Sequence, residues 1–167
     1  MVGGGMDDNV HLFTRGAMGF AEAGTPIALG HSAGNGVDVK PQAAGVAISP
    51  DGKRALVANY YNDSVSLIDL DGRLVLDEHD LRPGKINPAA RGVAGGEFPF
   101  AILWRDNSHA YVSAPRDRQI VVLTIAGDKV GVAGRVPTIG EPPALLLDSG
   151  AKRLSATEAK AVRLAVL

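Results

Sequence analysis

The chain has 167 residues and no cysteine, and its 17 basic residues nearly balance 18 acidic ones. With 46% hydrophobic and 21% charged residues it has the composition of a globular domain, and a net charge of −1 disfavours nucleic acid as a partner. The absence of cysteine excludes disulfides and zinc–thiolate sites. No run approaches the roughly 18 apolar residues of a membrane span, and the glycine-rich, acidic start from Met1 to Asn9 does not resemble a signal peptide.

Short apolar runs between frequent turn residues predict an all-β protein. The 21 glycines and 10 prolines recur too often for long helices. Asp51-Gly52 and Asp71-Gly72 are typical of tight hairpin turns, because these residues tolerate positive φ angles. The predicted strands are, in chain order, Asn9–Thr14, Phe20–Leu29, Val46–Ser49, Ala55–Ala58, Val65–Leu70 and Leu74–Leu76.

The pattern of strand, turn, strand, polar loop and strand recurs along the chain. A shift of 55 residues places Val46 over Ala101 and Val65 over Ile120, and it preserves apolar character along the strands. A weaker copy begins near Pro143. The repeat predicts four consecutive units: the end of a first one at 9–30, a second at 42–76, a third at 98–137 and the start of a further one at 142–167.

The strand sequences indicate how these units pack. Ala55–Ala58 and Ile120–Leu123 do not alternate between apolar and polar residues, as a sheet with one solvated face would. Both faces of each sheet should therefore be covered by neighbouring sheets. This predicts a partial β-propeller of four-stranded antiparallel blades, formed by residues 1–167 as one domain. A β-sandwich is the alternative, because it also has short strands and many turns.

The second unit resembles the YVTN-type repeat of seven-bladed bacterial propellers, the surface-layer and lactonase-like group, over Ala47–Asn59 and Asp63–Asp69. The third unit departs from that repeat by carrying Trp104–Asn107 in place of the Ser-Pro-Asp-Gly turn, and the last by having Ser155 where valine or an aromatic residue is usual. Some relatives carry a fused phosphoesterase domain. The resemblance implies a periplasmic or extracellular location and a fragment of about three blades, because seven blades need about twice this length.

An incomplete ring leaves blade faces uncovered. If each missing neighbour bares about 500 Å² of apolar surface, roughly 12 kcal/mol of stabilisation is lost at each end. That loss is comparable to the whole stability of a typical domain, about 5–15 kcal/mol. We therefore expect these faces to pack against missing blades or to drive self-association.

One motif suggests nucleophilic catalysis. Gly30–Gly34 matches G-x-S-x-G, in which Ser32 would be the nucleophile at a turn between a strand and a helix. The glycine and proline in Asn35–Pro41 do not favour that helix. A glycine-rich connection between blades is therefore favoured, and a hydrolase would need His79 or His109 to complete a triad.

The sequence predicts no metal site and no cofactor. Asp77–Asp80 gathers three carboxylates and an imidazole, but adjacent strand residues point to opposite faces and cannot all reach one ion. A solvated strand end is the favoured interpretation, and the four histidines lack metal-ligand spacing.

The predicted topology places several loops on one rim. In a four-stranded blade, the loop between strands two and three opens beside the connection that enters strand one. Tyrosines there offer contact area, and arginines can bind carboxylate or phosphate. For Asn59, Asn62, Asp63 and Ser64 the favoured alternative is a loop-capping role. The candidate rim residues are Tyr60, Tyr61, Asn62, Asp63, Glu97, Arg116, Asp117 and Arg118.

The function predicted from these features is a non-catalytic propeller module. Its expected partner is another protein, a cell-envelope component or a small anionic ligand at the rim. The alternative is the propeller portion of a hydrolase, either lactonase-like or fused to a phosphoesterase, or one that uses Ser32 itself.

Overall fold

A computed structural model describes residues 1–31, 42–148, 150, 152–159 and 163–166. The first strands are β1 (Val2–Gly3), β2 (Asn9–His11), β3 (Phe13–Gly16), β4 (Gly19–Glu22) and β5 (Ile27–Ala28). They are followed by β6 (Ala43–Ile48), β7 (Arg54–Asn59), β8 (Ser64–Asp69), β9 (Leu74–Asp80), β10 (Ile102–Asp106) and β11 (His109–Ala114). The last are β12 (Gln119–Ala126), β13 (Lys129–Pro137), β14 (Glu141–Asp148), β15 (Arg153–Ala159) and β16 (Arg163–Val166).

Helical structure is confined to short segments in the described residues. A single-turn helix, α1, spans Pro83–Ile86, and 3₁₀ turns span Tyr60–Asn62 and Pro88–Ala90. None of the helices in the described ranges has the length and apolar character needed to cross a bilayer.

The strands form separate antiparallel sheets that follow one another along the chain. Blade two is β6-β7-β8-β9, and blade three is β10-β11-β12-β13. Blade four comprises β14-β15-β16, and blade one comprises β1-β2-β5, with β3 and β4 forming a hairpin of their own. The prediction of four-stranded antiparallel blades is confirmed by blades two and three.

Some predicted strands differ from those observed. The predicted strand Phe20–Leu29 is divided into β4 and β5, and Gly24 with φ of +68° lies between them. In blade two, β9 continues to Asp80, past the predicted end of the unit at residue 76, because it pairs with β8 as far as Ser64. Asp77–Asp80 therefore belongs to a partly buried strand and is not a solvated strand end.

The turn between β6 and β7 forms as the Asp-Gly pair predicts. Gly52 has φ of +73°, and the Oγ of Ser49 donates to Asp51 at 2.6 Å. Asp51 Oδ1 in turn accepts the backbone N–H of Lys53 at 3.1 Å, so one carboxylate orders the whole reversal.

Each central blade buries both faces. In β7, Leu56 and Ala58 belong to the hydrophobic core shared with blade three, whereas Ala55 and Val57 belong to the core shared with blade one. A third core, which includes Ile120 and parts of blade four, lies beyond blade three. The continuous apolar runs are thus explained by neighbours on both sides. Since the sheets stack in chain order and are not two facing layers, the sandwich alternative is wrong.

Polar contacts fix the blades against one another. The indole N–H of Trp104, in the first strand of blade three, donates to the backbone oxygen of Ala47 in the first strand of blade two at 2.9 Å. At the outer strands, Asp77 accepts the backbone N–H of Val130 at 2.8 Å and pairs with Lys129 at 2.7 Å. The blades are therefore joined near their inner and outer strands.

Replacing Trp104 with phenylalanine tests the inner contact. We expect Trp104→Phe to lower the free energy of unfolding by about 1–3 kcal/mol, because the partly buried carbonyl of Ala47 loses its donor. Urea denaturation followed by circular dichroism measures this effect. Phe20→Leu is the matched control, since Phe20 is 74% exposed and its change should be nearly neutral. Equal effects of the two substitutions would show that the indole hydrogen bond contributes nothing.

Candidate functional site

The loop between β7 and β8 makes a compact turn at one rim. Its last residue, Asp63, has φ of +53°, and Arg118, at the equivalent place in blade three, has φ of +51°. The amide of Asn59 donates to the hydroxyls of Ser64 at 3.0 Å and Ser66 at 2.9 Å. Asn59 and Ser64 are thus buried and hydrogen-bonded inside the loop, and they do not contribute to the rim surface.

The connection from blade two to blade three is fastened to this rim by two carboxylates. Asp63 Oδ1 accepts the backbone N–H of Phe98 at 3.0 Å, and Asp117 Oδ2 accepts that of Glu97 at 2.8 Å. Because Asp63 comes from blade two and Asp117 from blade three, the connection is fixed at the junction between the blades.

Two glycines allow this close approach. Gly96 has φ of +78°, and a Cβ added there would lie 2.2 Å from the backbone oxygen of Leu81. Gly95 has φ of +150°, and its added Cβ would lie 2.9 Å from the side-chain amide of Gln119. The Gly95-Gly96 pair is therefore tightly packed.

An aromatic cluster lies beside the connection. The ring of Tyr60 has its centroid 4.9 Å from that of Phe98, 5.0 Å from that of Tyr61 and 6.1 Å from that of Phe100. The guanidinium carbon of Arg116 lies 5.0 Å from the centroid of Phe98, a cation–π geometry. The predicted tyrosines therefore form part of a cluster that includes residues of the connection.

Next to this cluster is a cleft of about 550 Å³, to which we refer as the rim cleft. Two parts of the connection line it, α1 with the residues that follow and then Glu97, together with residues of the β11–β12 loop. Its lining residues are Arg82, Gly84, Lys85, Arg91, Gly92, Val93, Ala94, Glu97, Arg116 and Asp117.

Four of these lining residues are basic and two are acidic. The Arg82 guanidinium is held by Asp80, with Nη2 2.6 Å from Oδ2 and Nε 3.1 Å from Oδ1, and this hydrogen bonding raises the pKa of Arg82. Arg116 pairs with Glu97 at 3.2 Å. Lys85 and Arg91 have no ion-pair partner in the described part of the chain. The rim cleft therefore carries uncompensated positive charge.

Behind the rim cleft are two partly buried groups. Arg135 donates to the side-chain oxygen of Gln119 at 3.1 Å and to the backbone oxygen of Leu81. Burial lowers the pKa of Arg135, although the charge of Asp117 opposes this effect. Burial also lowers the pKa of His79, against the opposing charges of the neighbouring carboxylates, and its Nε2 has no hydrogen-bond partner among the described residues.

The structure brings only some of the predicted rim residues together. Glu97, Arg116 and Asp117 line the rim cleft, whereas Tyr60 and Tyr61 lie in the aromatic cluster. The remaining predicted residues do not line it: Asn62 is buried, Asp63 holds the connection, and Arg118 is exposed next to the cleft-lining Asp117. Ser32 lies outside the described residues.

Sequence reasoning did not identify three basic residues of the rim cleft, which are Arg82, Lys85 and Arg91. The sequence feature that could have identified them is the occurrence of isolated basic residues in a Pro- and Gly-rich connection between blades. Across the described ranges, no group of three or more His, Asp or Glu residues is arranged to hold a metal ion.

Comparisons with known proteins identify the fold. No protein-family model and no curated protein sequence matches the chain. Among solved structures, a Lactobacillus plantarum protein matches with a TM-score of 0.74 and 17% identity over 95% of this chain and 44% of its own. The periplasmic gluconolactonase of Pseudomonas aeruginosa matches with a TM-score of 0.65 and 18% identity over 95% of this chain and 43% of its own.

A further match names the architecture. The β-propeller domain of Myceliophteria thermophila Cps50 matches with a TM-score of 0.56 and 12% identity, over 75% of this chain and 39% of its own. The chain therefore has a β-propeller fold, as predicted. It spans less than half the length of each of these three solved chains.

Substituting Gly96 tests the fixed connection. Gly96→Ala should lower the free energy of unfolding by about 2–4 kcal/mol, because the added Cβ meets backbone and not a movable side chain. Gly52→Ala is the control, because Gly52 has a similar φ of +73° but no described atom within 4 Å of the added Cβ, and should cost only about 1 kcal/mol. Chemical denaturation of both variants measures the difference, and equal losses would contradict the packing described for Gly96.

His79 should make stability depend on pH. Its pKa is lower in the folded state than the ordinary value of 6.5, so the unfolded chain takes up the proton first as pH falls. We expect the free energy of unfolding of the native chain to fall relative to that of His79→Gln below about pH 6.5, and to run parallel to it above about pH 7.5. Denaturation curves across this range measure both, and a difference that grows in the opposite direction would contradict the burial of His79.

Proposed function

We propose that this propeller module is a non-catalytic binding protein whose rim cleft takes a ligand carrying carboxylate or phosphate groups. The observation that carries the proposal is the charge of the rim cleft, where Lys85 and Arg91 add positive charge that no described carboxylate neutralises. Charge-assisted hydrogen bonds from such groups to an oxyanion are among the stronger polar contacts in proteins.

The surrounding residues support an oriented site. Asp80 holds the Arg82 guanidinium through two of its nitrogens, so less side-chain freedom is lost when this residue contacts a ligand. Arg116 lies between Glu97 and the ring of Phe98 and is therefore placed at the boundary between the rim cleft and the aromatic cluster. A ligand with an anionic group and an apolar portion can contact both.

The acidic residues of the rim cleft favour binding over catalysis. Glu97 pairs with Arg116, and Asp117 accepts a backbone N–H, so both carboxylates already have partners. The hydrolase alternative rests on the lactonase-like resemblance and on the name of the similar Pseudomonas aeruginosa protein, both of which concern whole propellers.

The proposal includes a location outside the cytoplasm. It is supported by the resemblance to YVTN-type repeats and by the periplasmic location in the name of the Pseudomonas aeruginosa protein. In such a location, both soluble anions and anionic cell-envelope components would present the carboxylate or phosphate groups that the rim cleft is proposed to bind.

The test is titration with pyrophosphate and with citrate, followed by calorimetry at low ionic strength. We expect the double variant Lys85→Ala with Arg91→Ala to bind at least about tenfold more weakly, because each side chain contributes a charged contact. Added salt should weaken binding by the native chain through screening.

The matched control removes the same charge elsewhere. Lys53 and Arg153 are exposed at turns between first and second strands, on the opposite rim, and Lys53→Ala with Arg153→Ala should leave binding unchanged. Equal loss in both double variants, or no binding of either anion by the native chain, would contradict the proposal. Hydrolysis of p-nitrophenyl acetate or phosphate that Ser32→Ala abolishes would contradict the non-catalytic assignment.

A further inference from the structure

The hairpin formed by β3 and β4 lies between β2 and β5 of blade one and is exposed throughout. All eight of its strand residues are exposed, Met18 at its turn is fully exposed, and Phe20 is 74% exposed. In the described part of the chain, β3 and β4 pair only with each other. A two-stranded hairpin with apolar side chains in water is only marginally stable by itself, so this one would gain from a partner surface.

The two faces of the hairpin differ in character. Phe13 pairs with Glu22 and Arg15 pairs with Phe20, and because side chains alternate along a strand, these four lie on one face. The other face carries only small residues, which are Thr14, Gly16, Gly19 and Ala21. The face with the large side chains is the one suited to a contact.

On this face the four side chains occupy the corners of a rectangular array. Phe13 and Phe20 lie on one diagonal, and Arg15 and Glu22 lie on the other. Neighbouring strands are about 4.8 Å apart, and residues two apart along a strand are about 6.8 Å apart. A two-fold axis along the phenylalanine diagonal therefore sets each phenylalanine against the same residue of the second copy. It also brings Arg15 of each copy opposite Glu22 of the other.

We propose that this hairpin is a self-association site at which two copies of the chain cross their hairpins face to face, at roughly a right angle. Phe13 and Phe20 of one copy pack on the same residues of the other, and Arg15 of each copy pairs with Glu22 of the second copy. Arg15 has no ion-pair partner among the described residues, and Glu22, which contacts His11 Nδ1 at 2.5 Å, keeps 41% of its side chain exposed.

The pattern of charges selects a second copy over an unrelated apolar partner. An interface with two-fold symmetry must be complementary to itself, and a diagonal with one positive and one negative corner meets that requirement. The hairpin offers fewer residues than the 20 to 30 on each side of a typical stable interface. Association should therefore be weak and should increase with concentration.

Charge reversal tests the proposed contact by sedimentation equilibrium at low ionic strength. Arg15→Glu places glutamates opposite each other at both contacts, and Glu22→Arg places arginines there, so each variant alone should associate about tenfold more weakly than the native chain. In an equimolar mixture of the two variants, both contacts join opposite charges. The mixture should therefore associate about as well as the native chain.

The mixture distinguishes this contact from association through uncovered blade faces. Association of blade faces would leave the single variants and their mixture alike, and that result would overturn the proposal. Lys53→Glu, a charge reversal at an exposed turn in blade two, is the control and should associate as the native chain does. A mixture that associates no better than either single variant would also overturn the proposal. Because the hairpin side chains lie outside the blade cores, unchanged unfolding curves check that each variant is folded.

Discussion

The burial of each sheet between two neighbours is the constraint on which the rest of the molecule depends. In β7, consecutive apolar residues alternate between two cores, so that Leu56 packs toward blade three and Val57 toward blade one. With about 25 cal/mol stabilisation for each Å² of apolar surface removed from water, neither face can be left open without a large loss. A blade of this kind is therefore stable only as part of a stack.

Stacking in turn determines where function can reside. Since both faces of a central blade are occupied, ligands can reach only the rims, and the connections between blades lie there. The connection after β9 is fixed by Asp63 and Asp117, and by Gly96 packed against Leu81, so the residues around it have defined positions. Lys85 and Arg91 lie on the wall of the rim cleft, in the same connection between the blades.

Local patterns in the sequence were sufficient for the repeating part of the fold. The Asp51-Gly52 turn and the uninterrupted run from Ala55 to Ala58 predicted a hairpin and a sheet buried on both faces, because both signals arise from neighbours in sequence. The rim cleft could be predicted only in part. Arg116 and Glu97 belong to segments that the topology places together. Arg82, in contrast, lies at the start of α1 and its guanidinium is held by Asp80, and no periodic pattern in the sequence specifies such contacts.

The two candidate interaction surfaces lie on opposite rims. Arg73, at the turn between β8 and β9, donates to the backbone oxygen of Thr25 near the base of the β3–β4 hairpin, which places the hairpin on the rim of those turns. The rim cleft lies beside the β11–β12 loop, at the other ends of the strands. Two copies joined through their hairpins would therefore keep both rim clefts open to solvent. Self-association and anion binding are thus geometrically compatible, and each can be altered by substitution without removing a residue of the other.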